Sequence, residues 1–303
     1  SESLGKAKRV DTARDQYQMF ALSTVPQSLS LAGMNIVVDG SNGAGYKVAP
    51  RVLAELGANV VPIGCSPNGK NINLNCGSTH PELLQATVKG VGADLGIALD
   101  GDGDRLVMVD HEGNLVDGDQ ILYVLATARH GAGLLNGPVV GTLMSNLGLE
   151  KALKAEGIDF RRANVGDRYV LELLQQTEGI IGGETSGHLI CLDKTTTGDG
   201  LVSALQVLAV LRETGKSLAE LIAGMPKFPQ TMINVRVEGK PDLTSPAVQS
   251  AVTAAEQQLG DRGRVVLRAS GTEPVSRVMI AGEDSAEVEQ LAGVLAEAVK
   301  AAA

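Results

Sequence analysis

Apolar residues recur along this chain in two alternating rhythms. Short apolar runs at 36–38, 59–63 and 93–99 have the look of buried strands. Between the first two, Val48, Val52, Leu53 and Leu56 fall at helical spacing until Gly57 stops them. Ahead of these, residues 1–25 are polar, with Val10, Tyr17, Phe20 and Ala21 at roughly helical intervals, which predicts a lead-in helix ending before Pro26. A helix over about 81–91 precedes the run into Asp100, and residues 106–109 followed by the turn at 111–114 predict a hairpin. The rhythm restarts near Asp119, with helices near 121–125, 147–155 and 170–174 interleaved with strands at 139–143, 159–163 and 180–181. A long apolar helix then runs from Gly200 to about Leu211.

Pro226 and Pro229 interrupt this alternation. Beyond them the order changes to strand (232–237), helix (247–259), strand (264–268), strand (277–280) and helix (286–298), a βαββα unit with helices on one face of an antiparallel sheet. The expected fold class is α/β: two βαβ-type α/β domains with mixed sheets, followed by a smaller α+β domain. The expected segments are 1–28 as a linker helix, then 29–118, 119–228 and 229–303.

Composition narrows the function classes. The 303 residues are 44% hydrophobic with almost no aromatics and a formal net charge of −9, which argues against a nucleic-acid surface. Three cysteines, Cys65, Cys76 and Cys191, lack metal or CxxC spacing and read as unreactive thiols in a reducing compartment. No unbroken apolar run suits a membrane span, so the cytoplasm is the expected location.

Three loops carry the candidate chemistry. Asp100-Gly101-Asp102-Gly103-Asp104-Arg105 follows an apolar run, and its three carboxylates, unpaired, would repel one another, so a hard divalent cation is the natural partner. An EF-hand loop would need Gly and Glu where Arg105 and His111 stand. A strand-end Mg²⁺ site fits better, and an acidic turn without metal is the competing reading. Arg268-Ala269-Ser270-Gly271-Thr272-Glu273-Pro274, with Arg277 beyond, offers bidentate and neutral donors suited to phosphate oxygens; the alternative is a polar turn with solvated arginines. Glu184-Thr185-Ser186-Gly187-His188 follows a glycine pair at a strand end and could hydrogen-bond a polar ligand through Glu184 and Ser186, whereas a lone His188 is uninformative. The glycines after 36–38 do not form GxGxxG, so a dinucleotide site is disfavoured.

Taken in order, these loops resemble the metal-binding, sugar-binding and phosphate-binding loops of the α-D-phosphohexomutase superfamily. Residues 193–200 and 165–170 resemble its phosphoglucosamine mutase branch more than the phosphomannomutase/phosphoglucomutase branch. The resemblance implies Mg²⁺ on Asp100, Asp102 and Asp104, with Arg105 assisting electrostatically. It implies sugar hydroxyls on Glu184 and Ser186, and a phosphate clamp of Arg268, Ser270, Gly271, Thr272 and Arg277. Arg168 and His188 become candidates for positioning or proton transfer, His188 also as a substrate contact. The implied partners are a hexosamine phosphate and its 1,6-bisphosphate, on the route to UDP-N-acetylglucosamine, in a possible homodimer. There are two departures. Thr185 stands where the branch usually has Gln or Asn. The family's phosphorylated serine lies in a Ser-His loop of a first domain, and no Ser-His pair occurs in this sequence, which also opens on Ser. The expectation is a portion holding domains two to four, inactive alone. A non-catalytic sugar-phosphate binder and the sister mutase branch are the alternatives.

Overall fold

The computed structural model describes residues 10–236, 242–269 and 275–302. Their contacts cluster into two compact units, one running through Thr142 and resuming at Ile158–Gly224, the other made of Leu143–Gly157 and the chain from Met225 onward.

The first unit opens with α1 (Ala13–Ser23), followed by β1 (Asn35–Asp39), α2 (Val48–Glu55), β2 (Asn59–Ile63), α3 (Glu82–Val91), β3 (Leu95–Leu99), β4 (Leu106–Asp110) and β5 (Leu115–Val116). The sheet order is β2-β1-β3-β4-β5, with β1 parallel to both β2 and β3 and the last two strands antiparallel. Every residue of β3 and β4 is buried, which is why their sequences read as continuous apolar runs rather than alternating ones. The chain passes from β1 to one side and returns to the other, so the loops after β1 and β3 diverge at a switch point, where open sheets form ligand crevices.

Next come α4 (Gly118–Gly131), β6 (Val139–Thr142), α5 (Leu147–Ala155), β7 (Phe160–Ala163), α6 (Asp167–Thr177), β8 (Ile181–Gly183), β9 (Leu189–Cys191), α7 (Gly200–Thr214) and α8 (Leu218–Ile222). The sheet β7-β6-β8-β9 repeats the same reversal, and the antiparallel β9 makes it mixed. Helix α4 starts in a capping box between Asp117 and Gln120. Helix α7 is buried nearly all round because it packs against α4 and α1 and against strands of both sheets, so its sequence is apolar without a polar face. Among the described residues no helix is long and apolar enough to cross a membrane.

In the second unit β10 (Gln230–Arg236), β11 (Gly263–Ala269) and β12 (Val275–Gly282) form an antiparallel sheet of order β10-β12-β11. Helices α9 (Pro246–Leu259) and α10 (Ser285–Ala301) bury Val248, Leu259, Val288, Leu295 and Val299 against Val235, Val278 and Ile280. On the opposite sheet face Val266, Met279 and Ala281 cluster with Leu147 of α5, Met144 and Phe228. The observed architecture is the mixed α/β arrangement with a smaller βαββα sheet that the apolar rhythm implied.

Candidate functional site

The acidic loop begins where β3 leaves the core, with Asp100 itself only 5% exposed. Gly103, at φ +83°, turns the loop. One carboxylate oxygen from each of Asp100, Asp102 and Asp104 then lies within 4.8 Å of the others. Arg105 closes the turn: its N–H donates to Asp100 Oδ1 at 3.1 Å, and its Nε sits 3.5 Å from Asp100 Oδ2 and 3.9 Å from Asp104 Oδ1. Burial pushes the Asp100 carboxyl up to about 6, aided by the charges of Asp104 and Asp102 and opposed by the Arg105 N–H. Asp104 Oδ1 is buried without a hydrogen-bond partner. A cation bound among the three would complete that oxygen and neutralise the repulsion. Three convergent carboxylate oxygens suit a hard ion such as Mg²⁺, which takes few protein ligands and keeps waters.

Two loops hold this one in place. The turn after β1 is pinned by the buried Asp39, which accepts from the N–H groups of Ser41 (2.9 Å) and Gly77 (2.7 Å). The Ala44 N–H donates to the Gly101 carbonyl at 2.8 Å, and a Cβ on Gly43 would overlap the Gly101 backbone. The glycines of this turn thus serve close approach to the acidic loop.

The loop after β8 is the second neighbour. Leu106 N–H donates to the Gly187 carbonyl at 2.9 Å, and Arg105 and His188 form a β-bridge. Gly187 has φ +95°, and a Cβ there would overlap the Leu106 carbonyl. The buried His188 brings Nδ1 to 3.1 Å from Asp104 Oδ2 and Nε2 to 3.9 Å from Asp167 Oδ2. Glu184 Oε1 accepts from the Gly166 N–H at 3.0 Å, tying this loop to the start of α6. Ser186 is exposed, as is Arg168 on the first turn of α6. Thr185 donates its hydroxyl to Asp119 Oδ2 at 2.8 Å, so its side chain anchors α4.

The second unit carries the arginine pair. Arg268 on β11 and Arg277 on β12 stand directly opposite in the antiparallel register. Burial first, and the Arg277 charge second, hold the Arg268 guanidinium below its usual range, and its Nε is buried without a hydrogen-bond partner. Two like charges facing across a ladder are unfavourable unless an anion lies between them. Ser270, Gly271 and Thr272 lie outside the described residues.

Sequence reasoning passed over Asp167 beside His188, and it passed over Tyr17, whose hydroxyl donates to both oxygens of Asp199 at 2.9 and 2.8 Å. That pair is 182 residues apart, so no local spacing could signal it.

Three profiles of the phosphoglucomutase/phosphomannomutase family match: its alpha/beta/alpha domain II over residues 15–113, alpha/beta/alpha domain III over 117–228 and the C-terminal domain over 232–298. A phosphoglucosamine mutase of Methylobacillus flagellatus is 56% identical over 301 residues, covering 99% of this chain and 66% of the relative. One from Thioalkalivibrio sulfidiphilus is 55% identical over 307 residues, covering 100% and 68%. The chain therefore spans about two thirds of the length of these curated relatives. Among solved structures, a phosphoglucomutase/phosphomannomutase family protein of Burkholderia thailandensis superposes with a TM-score of 0.78 at 23% identity, over 95% of this chain and 64% of that one. Aspergillus fumigatus N-acetylphosphoglucosamine mutase, in complex with GlcNAc-6P and magnesium, gives 0.78 at 22% identity, over 96% and 66%. At these identities the structural likeness speaks for the fold.

Proposed function

This chain belongs to the phosphoglucomutase/phosphomannomutase family, and on that premise we propose that it serves a phosphoglucosamine mutase, interconverting glucosamine 6-phosphate and glucosamine 1-phosphate through a phosphoserine and a 1,6-bisphosphate. The observation that carries the reading is the triangle of Asp100, Asp102 and Asp104 at the end of β3, with Asp104 also facing His188. Asp100, Asp102 and Asp104 would hold Mg²⁺, which when bound supplies positive charge to a transferring phosphoryl group.

The chain's own groups act around that point. Arg105, already on the triad, would offset negative charge developing near it. Glu184 and Ser186 would orient sugar hydroxyls, Glu184 being preset by its bond to the Gly166 N–H. His188, between Asp104 and Asp167, would move or hold a proton at Nε2, and Arg168 would steer the anionic ligand. Arg268 and Arg277, with Ser270, Gly271 and Thr272, would clamp the phosphate that is not transferring. The 303 residues hold no Ser-His pair, so the serine would come from outside this sequence, and the chain alone would bind without turnover. The absence of a membrane-crossing helix among the described residues is compatible with work in the cytoplasm.

The test is an assay of the chain with glucosamine 6-phosphate, Mg²⁺ and a bisphosphate activator, beside a calorimetric titration of the sugar phosphate. Binding without turnover is the expected result. Turnover would mean that another residue accepts the phosphoryl group, and absence of binding would remove the reading altogether.

A further inference from the structure

A cavity of about 290 Å³ adjoins the acidic loop, with Tyr17, Gly45, Leu99, Asp102, Asp104 and Asp199 among its lining residues. Asp199 is thus a fourth carboxylate on the wall that two of the triad share, yet it does not join the triad's cluster. Two donors account for this. Its Oδ1 accepts from the Val202 N–H at 2.9 Å and so caps α7, and the Tyr17 hydroxyl is shared between Oδ1 at 2.9 Å and Oδ2 at 2.8 Å, the only one of the two donors that Oδ2 meets. Burial, then the Asp199 charge and hydrogen bond, push the Tyr17 phenol well above its usual range, so it remains a donor. Cap and acidic loop are joined directly, because the Gly200 N–H donates to the Gly103 carbonyl at 2.9 Å.

We infer that Tyr17 is a positioning residue that sets the cation preference of the acidic loop, by holding the Asp199 carboxylate out of the ion's reach. The inference rests on reading Asp100, Asp102 and Asp104 as the cation site. Mg²⁺ is satisfied by few carboxylates and retained waters in a tight octahedron, whereas Ca²⁺ gathers six to eight oxygens in a looser shell. An added mobile carboxylate therefore favours the larger ion. Tyr17→Phe changes no charge and removes one hydroxyl, leaving Oδ2 free while Oδ1 still caps α7. Helix α1 keeps its other anchors: Gln18 to Glu55, Gln206 to the Thr24 carbonyl at 3.2 Å, and Arg51 to Asp15 at 3.2 Å.

The experiment titrates the whole chain with Mg²⁺ and with Ca²⁺ in a calorimeter. Tyr17→Phe should raise the Ca²⁺-to-Mg²⁺ affinity ratio by about fivefold or more. The double variant Tyr17→Phe/Asp199→Ser, which keeps a capping hydroxyl but lacks the carboxylate, should restore the native ratio. Arg51→Ala, which loosens α1 elsewhere, should leave it unchanged. Equal weakening of both ions in Tyr17→Phe would reduce Tyr17 to a structural contact and overturn the inference, as would an equal shift in Arg51→Ala. A native chain that binds neither ion would overturn the cation reading as well, and that outcome differs visibly from the other two.

Discussion

Arg268 stands opposite Arg277 across two strands, and burial first and that neighbouring charge second both disfavour its guanidinium. Arg268→Ala should therefore leave the unliganded protein at least as stable in a thermal scan, while weakening sugar-phosphate binding by about 1.5–3 kcal/mol, the worth of a charged hydrogen bond. Undiminished affinity would remove Arg268 from the clamp. Asp100 presents the opposite imbalance. Its carboxyl is raised from 3.8 to about 6, so its contribution to stability is present below the unfolded value and lost as pH rises through 6. A cation reverses that loss by binding the ionised form. Saturating Mg²⁺ should raise the melting temperature clearly at pH 8 and little at pH 5, and equal shifts at both would argue against the triad as the site. Single residues also mark where sequence reading stopped. Thr185 was noticed as a departure from a family pattern, but only the fold reveals that its hydroxyl goes to Asp119 on α4. The Tyr17–Asp199 contact was invisible for the same reason, since pairing across the chain is decided by packing and not by spacing.

Among the elements, long apolar runs were legible and short pieces were not. The buried strands β1 and β3, the helices α2, α4 and α7, and the βαββα order of the second unit follow from apolar periodicity that extends over several residues. Strand β9 and helix α8, three and five residues long, offer no period to detect, and β8 runs on through Gly182 and Gly183, residues of a type that signals a turn. The glycine of the 184–188 loop makes a sharper test. Gly187 combines φ +95° with a Cβ position that overlaps the Leu106 carbonyl, whereas Gly33 has φ +84° and open space around it. Gly187→Ala should cost about 1–3 kcal/mol from strain and displacement of the loop, and more than Gly33→Ala. Midpoints of urea unfolding would measure both, and equal losses would mean that the loop yields to the added Cβ and only the positive φ is penalised.

For the molecule as a whole, α7 has the widest influence in the first unit. It is covered by helices and by strands of both sheets, and Leu205 on it is fully buried. Leu205→Ala should cost about 2–5 kcal/mol and raise amide hydrogen exchange in both sheets together. Protection lost in only one sheet would deny α7 this shared role. The path of the backbone carries a different consequence. Residues 143–157 leave the first unit to join the second, where Met144 and Leu147 lie against Val266, Met279 and Ala281, and the chain then returns. The second unit is therefore not a bead that a single cut could release. A chain ended at Gly224 would strand Met144 and Leu147 in water and should self-associate in sedimentation. Heredity meets the same constraint: an exchange of this C-terminal segment between related genes would keep its native apolar contacts only if the matching short insert from far upstream travelled with it.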